Sequence, residues 1–135
     1  MSYRNIQNVV DISLSAALIL ILSISVLQAD PIYYETKYPP GKAPHPAVVV
    51  LHTSSGFKTV KRQMVKYSNA GYVVYAPDFF RRHGISMENR FETWTTYKED
   101  IESELIEIIA LIKKDPLVDP KNIFAVGFSN GGYWA

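Results

Sequence analysis

The sequence predicts an α/β domain, a mainly parallel sheet with helices on its faces. Three observations predict it. Continuous β-branched or apolar runs at Ala47–Leu51 (AVVVL), Tyr72–Ala76 (YVVYA) and Ile123–Gly127 (IFAVG) suit strands buried on both faces. Segments with helical spacing separate these runs, and strands alternating with helices form β-α-β crossovers. The composition, 47% hydrophobic and 20% charged over 135 residues, supports one packed domain rather than a disordered chain.

The first stretch stands apart from that domain. Ile12 to Leu27 (ISLSAALILILSISVL) carries no charge, follows Arg4, and is succeeded by Gln28-Ala29-Asp30-Pro31. A bilayer-spanning helix needs about 20 apolar residues, so this shorter run suits a signal-peptide core with cleavage after Ala29. Residues 1–29 are therefore expected to be a signal peptide of an exported (periplasmic or secreted) protein. An uncleaved anchor through residues 12–27 is the alternative, and it is the only expected membrane contact. Residues 30–135 form the domain.

Along that domain, Ile32–Tyr38 (IYYETKY) is expected to be an edge strand, followed by a loop rich in proline from Pro39 to Pro46. After the AVVVL strand comes the polar loop His52-Thr53-Ser54-Ser55-Gly56. Val60, Met64, Tyr67 and Ala70 are spaced for a helix, which Gly71 ends. Pro77-Asp78 closes the YVVYA strand, and residues 79–92 show no period and read as an irregular excursion. Trp94, Tyr97, Ile101, Leu105, Ile108, Ile109 and Ile112 then line one face of a long helix with Glu and Lys opposite, stopped at Asp115-Pro116. The IFAVG strand follows.

Charge and cysteine content exclude several functions. Fourteen Lys and Arg against thirteen Asp and Glu leave no field to recruit nucleic acid. With no cysteine there is no disulfide, lipid-anchored Cys or Cys-based metal site, and the three histidines lack metal-ligand spacing. No metal or other cofactor is expected.

The chemistry lies near the end of the chain. Gly127-Phe128-Ser129-Asn130-Gly131 fits G-x-S-x-G, placed directly after a strand. Such a serine sits on a sharp, strained strand-to-helix turn. Glycines two positions away on each side remove the collisions the turn would cause, so the hydroxyl can project above the strand end. Ser129 is the candidate nucleophile, and the backbone N–H of Asn130 a candidate oxyanion donor. A second donor belongs to the loop after the first buried strand, where Ser54, or failing that Thr53, is the candidate. Thr53, Ser54 and Ser55 would equally serve as caps for the following helix.

With these residues in place, the chain resembles the dienelactone hydrolase family of α/β-hydrolases. The resemblance rests on AVVVLHTSSGF, AGYVVYAPDFFRR and VDPKNIFAVGFSNGG, and covers roughly residues 45–134. It implies a mainly parallel sheet with flanking helices, and hydrolysis of a small-molecule lactone or carboxylic ester through an acyl-enzyme. It also implies that an arginine after the APD strand end, Arg81 or Arg82, holds an anionic group of the substrate. Founding members use a cysteine nucleophile and a glutamate in the oxyanion loop. This chain has Ser129 and the acid-free HTSSG, so a conventional serine mechanism suits it better.

The fold's order is nucleophile, then acid, then histidine, and only six residues follow Ser129. The chain is accordingly read as the N-terminal part of a hydrolase, incomplete after the elbow and inactive alone, with a sheet edge open to pairing. Among upstream residues, His52 is either a structural brace for the oxyanion loop or a surrogate base. His45 and His83 read as solvated loop residues, and Asp78 as a turn cap. Two alternatives stand beside the esterase or lactonase: an inactive interaction module, and a peptidase or thioesterase on the same fold.

Overall fold

The structure, a computed structural model, describes residues 31–135. The signal segment expected over 1–29 lies outside the described residues. Four strands form one sheet: β1 (Tyr34–Lys37), β2 (His45–Leu51), β3 (Val73–Pro77) and β4 (Val118–Gly127), in the order β1-β3-β2-β4. β2 pairs in parallel with both β3 and β4, whereas β1 lies antiparallel on β3 at the edge. The fold is mixed α/β, as the alternation of strand and helix predicts.

The β-branched run of β2 explains why the sheet needs cover on both sides. Side chains alternate across a strand, so Ala47, Val49 and Leu51 enter one core and Val48 and Val50 the other. Helix α1 (Lys61–Asn69), entered through a single 3-10 turn at Phe57–Val60, closes the second core with Val60 and Met64. The long helix α3 (Lys98–Lys114) closes the first with Ile101, Ile108 and Ile112.

Helix α3 stops where the sequence requires. Asp115 adopts an extended conformation (ψ 118°) before Pro116. Its carboxylate accepts hydrogen bonds from Tyr75 (2.5 Å), the Leu117 amide (2.8 Å) and Tyr38 (2.9 Å). Burial opposes its ionisation, but these three donors together outweigh burial and hold the carboxyl below its ordinary value.

Several features differ from the sequence reading. His45 and Pro46, read as loop residues, open β2, where His45 pairs with Val118, and β4 starts at that Val118 ahead of its apolar run. The excursion after β3 contains a short helix, α2 (Phe79–His83), because the Asp78 side chain accepts a hydrogen bond from the Arg81 amide and caps it. Trp94 belongs not to the long helix but to a 3-10 turn at Arg90–Trp94, and α3 begins at Lys98. β4 is not buried on both faces: Phe124 is 51% exposed, since β4, like β1, is an edge strand among the described residues. No helix of the described residues is long and apolar enough to cross a membrane.

The core assignment carries a contrast in stability. Ile108 is fully buried and Ile106, two residues away on the same helix, is 69% exposed. Ile108→Ala is expected to lower the unfolding free energy by about 2–5 kcal/mol, and Ile106→Ala to change it by no more than about 0.5 kcal/mol. Urea denaturation of the two variants checks both values.

Candidate active site

The ends of β2 and β4 are level, because Leu51 pairs with Gly127 in the parallel register. From these adjacent ends the chain leaves toward opposite faces. The segment after β2 leads to α1 on one face, whereas α4 (Asn130–Trp134), after β4, sends Trp134 into the core on the α3 face. Connections that diverge in this way open a crevice at the carboxyl ends of the strands, where open α/β sheets bind ligands.

Ser129 stands at that end of the sheet, just after β4. Its backbone has φ 54° and ψ −120°, and it is the one non-glycine residue with positive φ among the described residues. Holding a side chain there costs roughly 1–3 kcal/mol, and such strain persists only where the surroundings enforce it. The flanking glycines show the enforcement. A Cβ on Gly131 would strike the Leu51 carbonyl and lie 2.8 Å from the His52 carbonyl oxygen. A Cβ on Gly127 would strike the Gly131 carbonyl and lie 2.8 Å from the Gly132 nitrogen. The first turn of α4 therefore rests directly on the ends of β4 and β2, and Ser129 is left exposed to solvent.

The amides around the crevice are almost all committed. In the loop after β2, the Thr53 N–H donates to Thr59 Oγ1 (3.2 Å), the Ser55 N–H to Thr53 Oγ1 (3.2 Å) and the Gly56 N–H to the Thr53 carbonyl (2.9 Å). Of the amides from Thr53 to Gly56, that of Ser54 is the one for which no acceptor is found among the described residues. Thr53, the fallback oxyanion donor from sequence, is thereby set aside. The helix-capping role considered for this loop is absent as well, because neither the 3-10 turn nor α1 receives a side-chain cap. In the elbow, the Gly131 amide turns to the Phe128 carbonyl and those of Gly132 and Tyr133 to that of Ser129, which leaves the Asn130 N–H. Asn130 itself is buried, its side-chain oxygen accepting from Trp134 Nε1 at 3.2 Å.

His52 is buried, with 2% of its surface exposed, at the end of β2. Its Nδ1 lies 2.9 Å from the Thr53 carbonyl oxygen, and its ring meets Phe80 edge-on at 4.7 Å and Phe79 at 5.5 Å. Burial pushes its pKa below the ordinary value, with the Thr53 hydrogen bond and the charge of Asp78 opposing.

The two adjacent arginines diverge. Arg81 lies over the Tyr33 ring at 4.2 Å and lines an open cleft of about 480 Å³ with Lys58, Lys61, Phe80 and Ile85. Arg82 turns inward, its Nη1 3.4 Å from the carboxylate of buried Glu104. His83, read as a solvated loop residue, instead places Nε2 2.5 Å from the same carboxylate and stacks on Tyr97 at 4.6 Å. Helix α2 causes this correction, because it carries both side chains toward α3. The sequence reading sets the Glu and Lys residues of α3 opposite its apolar face, but Glu104 is buried. Its spacing from Ile101, Ile108 and Ile112 is three, four and eight residues, which is the signal that places it on the buried face.

A model of the dienelactone hydrolase family matches residues 35–135. Among solved structures, the fold is similar to the crystal structure of a candidate dienelactone hydrolase from Klebsiella pneumoniae subsp. pneumoniae MGH 78578. The TM-score is 0.64 at 16% sequence identity over 75% of this chain, a likeness of fold. The chain spans 45% of the length of that protein. No curated protein matches the chain.

Glu104 predicts a pH dependence. Burial raises its pKa, and the hydrogen bond and charge of His83 and the charge of Arg82 only partly offset this. A carboxyl with a raised folded-state pKa binds its proton more tightly in the fold, so its contribution to stability falls as pH rises from the ordinary carboxyl range through the raised value. Glu104→Gln removes that titration. In urea denaturation from about pH 4 to pH 7, the difference in stability between variant and parent is expected to shift in the variant's favour as pH rises.

Proposed function

This chain belongs to the dienelactone hydrolase family, and on that premise we propose that it supplies the nucleophile and oxyanion donors of a serine hydrolase acting on carboxylic ester or lactone bonds. The carrying observation is the backbone of Ser129, a strained, exposed serine between two glycines that admit no side chain. Ser129 Oγ attacks the substrate carbonyl while a histidine base takes the hydroxyl proton. The Ser54 and Asn130 amides receive the oxyanion of the tetrahedral intermediate. Collapse returns the proton to the leaving alkoxide and gives the acyl-enzyme, which water then hydrolyses by the same two steps.

In this fold the orienting acid and then the histidine base follow the nucleophile along the chain. His52 is a poor substitute, since its ring is buried and its Nδ1 is bonded to the loop backbone. Residues 1–135 alone are accordingly expected not to turn over ester. Exposed Phe124 and Phe128 beside the unpaired side of β4 support further polypeptide packing there. Of the two arginines, Arg81 is the one available to an anionic substrate group, because Arg82 is engaged with Glu104. Export is proposed on the uncharged run Ile12–Leu27 and Ala29, and N-terminal sequencing of the mature protein tests it.

The nucleophile is tested in the full-length protein. Ser129→Ala is expected to lower kcat for p-nitrophenyl acetate by about three orders of magnitude or more, and to abolish mass-detected labelling by a fluorophosphonate at the 129 position. Undiminished hydrolysis by the variant refutes the serine mechanism.

A further inference from the structure

We propose that His52 is a positioning residue that aims the Ser54 amide at the substrate oxyanion, acting through the Thr53–Ser54 peptide. The inference rests on the serine hydrolase reading and deepens it.

A carbonyl oxygen only accepts hydrogen bonds, so the 2.9 Å contact between His52 Nδ1 and the Thr53 oxygen fixes the proton on Nδ1. The Thr53 carbonyl and the Ser54 N–H belong to one planar peptide unit. That peptide is trans, the cis bond among the described residues being Ala43–Pro44. In a trans peptide the C=O and N–H point in opposite directions. Anchoring the carbonyl toward the His52 ring therefore turns the Ser54 N–H away from it, and this amide is the one in the loop without an acceptor. The Gly56 N–H donates to the same carbonyl at 2.9 Å. Two donors on one C=O polarise the peptide and strengthen its N–H as a donor.

The anchor itself has little freedom. Phe79 and Phe80 hold the ring, and its Nε2 is buried without a hydrogen-bond partner. A neutral ring protonated on Nδ1 leaves Nε2 as a bare lone pair, the less costly state in an apolar setting, and burial favours the neutral ring. The main-chain carbonyl of His52 is also part of the surface on which Gly131 rests. One residue thus supports the turn that presents Asn130 and orients the peptide that presents Ser54.

A histidine buried for packing alone and one buried for its donor respond to substitution in opposite order. In the full-length protein, with p-nitrophenyl acetate as substrate, His52→Phe keeps an aromatic ring and loses the donor. His52→Asn loses the ring and keeps an N–H near the Nδ1 position. His52→Phe is expected to lower kcat on the order of tenfold or more with KM within about twofold, because weakening an oxyanion donor acts on the transition state. His52→Asn is expected to recover most of that loss despite a lower Tm. His52→Phe with parental kcat, or His52→Asn no better than His52→Phe, overturns the proposal. Should His52→Phe not fold, His52→Leu replaces it. Should neither fold, the Ser54 amide proton shift in the fluorophosphonate-labelled protein decides: it must move downfield on labelling in both parent and His52→Asn, and absence of that shift in His52→Asn overturns the proposal. Ser129→Ala separates the two readings. If that variant remains active, the hydrolase mechanism falls and this inference with it; if it is inactive while the His52 order is reversed, only this inference falls.

Discussion

The constraint on which the rest of the structure depends is the contact between the first turn of α4 and the end of β2. Ser129 occupies a backbone region that residues with side chains avoid. Nothing local to five residues would hold it there. It is held because Gly131 lies against the Leu51 and His52 carbonyls, closer than a Cβ would permit. That approach exists only while Leu51 and Gly127 are paired in register. A slip of one residue would also exchange the two faces of β4, so the hydrophobic alternation that builds the cores protects the geometry of the turn as well.

Much of this was legible in the sequence, for identifiable reasons. Ala47–Leu51 and Val73–Ala76 are β-branched runs too apolar for a solvated face, and the structure buries them from both sides. The elbow could be read because its G-x-S-x-G pattern spans only five residues, although the carbonyls that exclude a side chain at Gly131 belong to the end of β2. β4 was harder. IFAVG looks like a strand covered on both faces, but burial depends on what lies beside a strand, and Phe124 is half exposed at an edge. A local pattern reports what a strand can tolerate and not the neighbours it has.

The region after β3 shows a different limit. A one-turn helix is too short to display a period, so FFRRH gives no sign of which arginine faces inward. Its phase is set by the Asp78 cap, and successive helical residues point about 100° apart. Arg81 therefore lines the cleft and Arg82 meets Glu104. Glu104 was obscured for the opposite reason. Its spacing marked the buried face, but a carboxylate is expected in water unless it is paired, and both partners sat in a segment without a recognisable element.

Donors and proton relay also place different demands on a chain. Oxyanion donors are backbone groups, fixed by whatever fixes the peptide that carries them. Here both candidate amides and the serine fall within residues 52–54 and 127–130, on two neighbouring strands whose ends are level. A single strand pair is sufficient to arrange them. The Ser54 amide is singled out because hydrogen bonding inside the loop consumes the other three, so its availability follows from the satisfaction of its neighbours. A relay of base and acid instead needs side chains delivered from separate elements to one hydroxyl, which no strand pair supplies. The electrostatic half of such a site depends on the register of a strand pair, and its proton relay on the convergence of side chains from several elements.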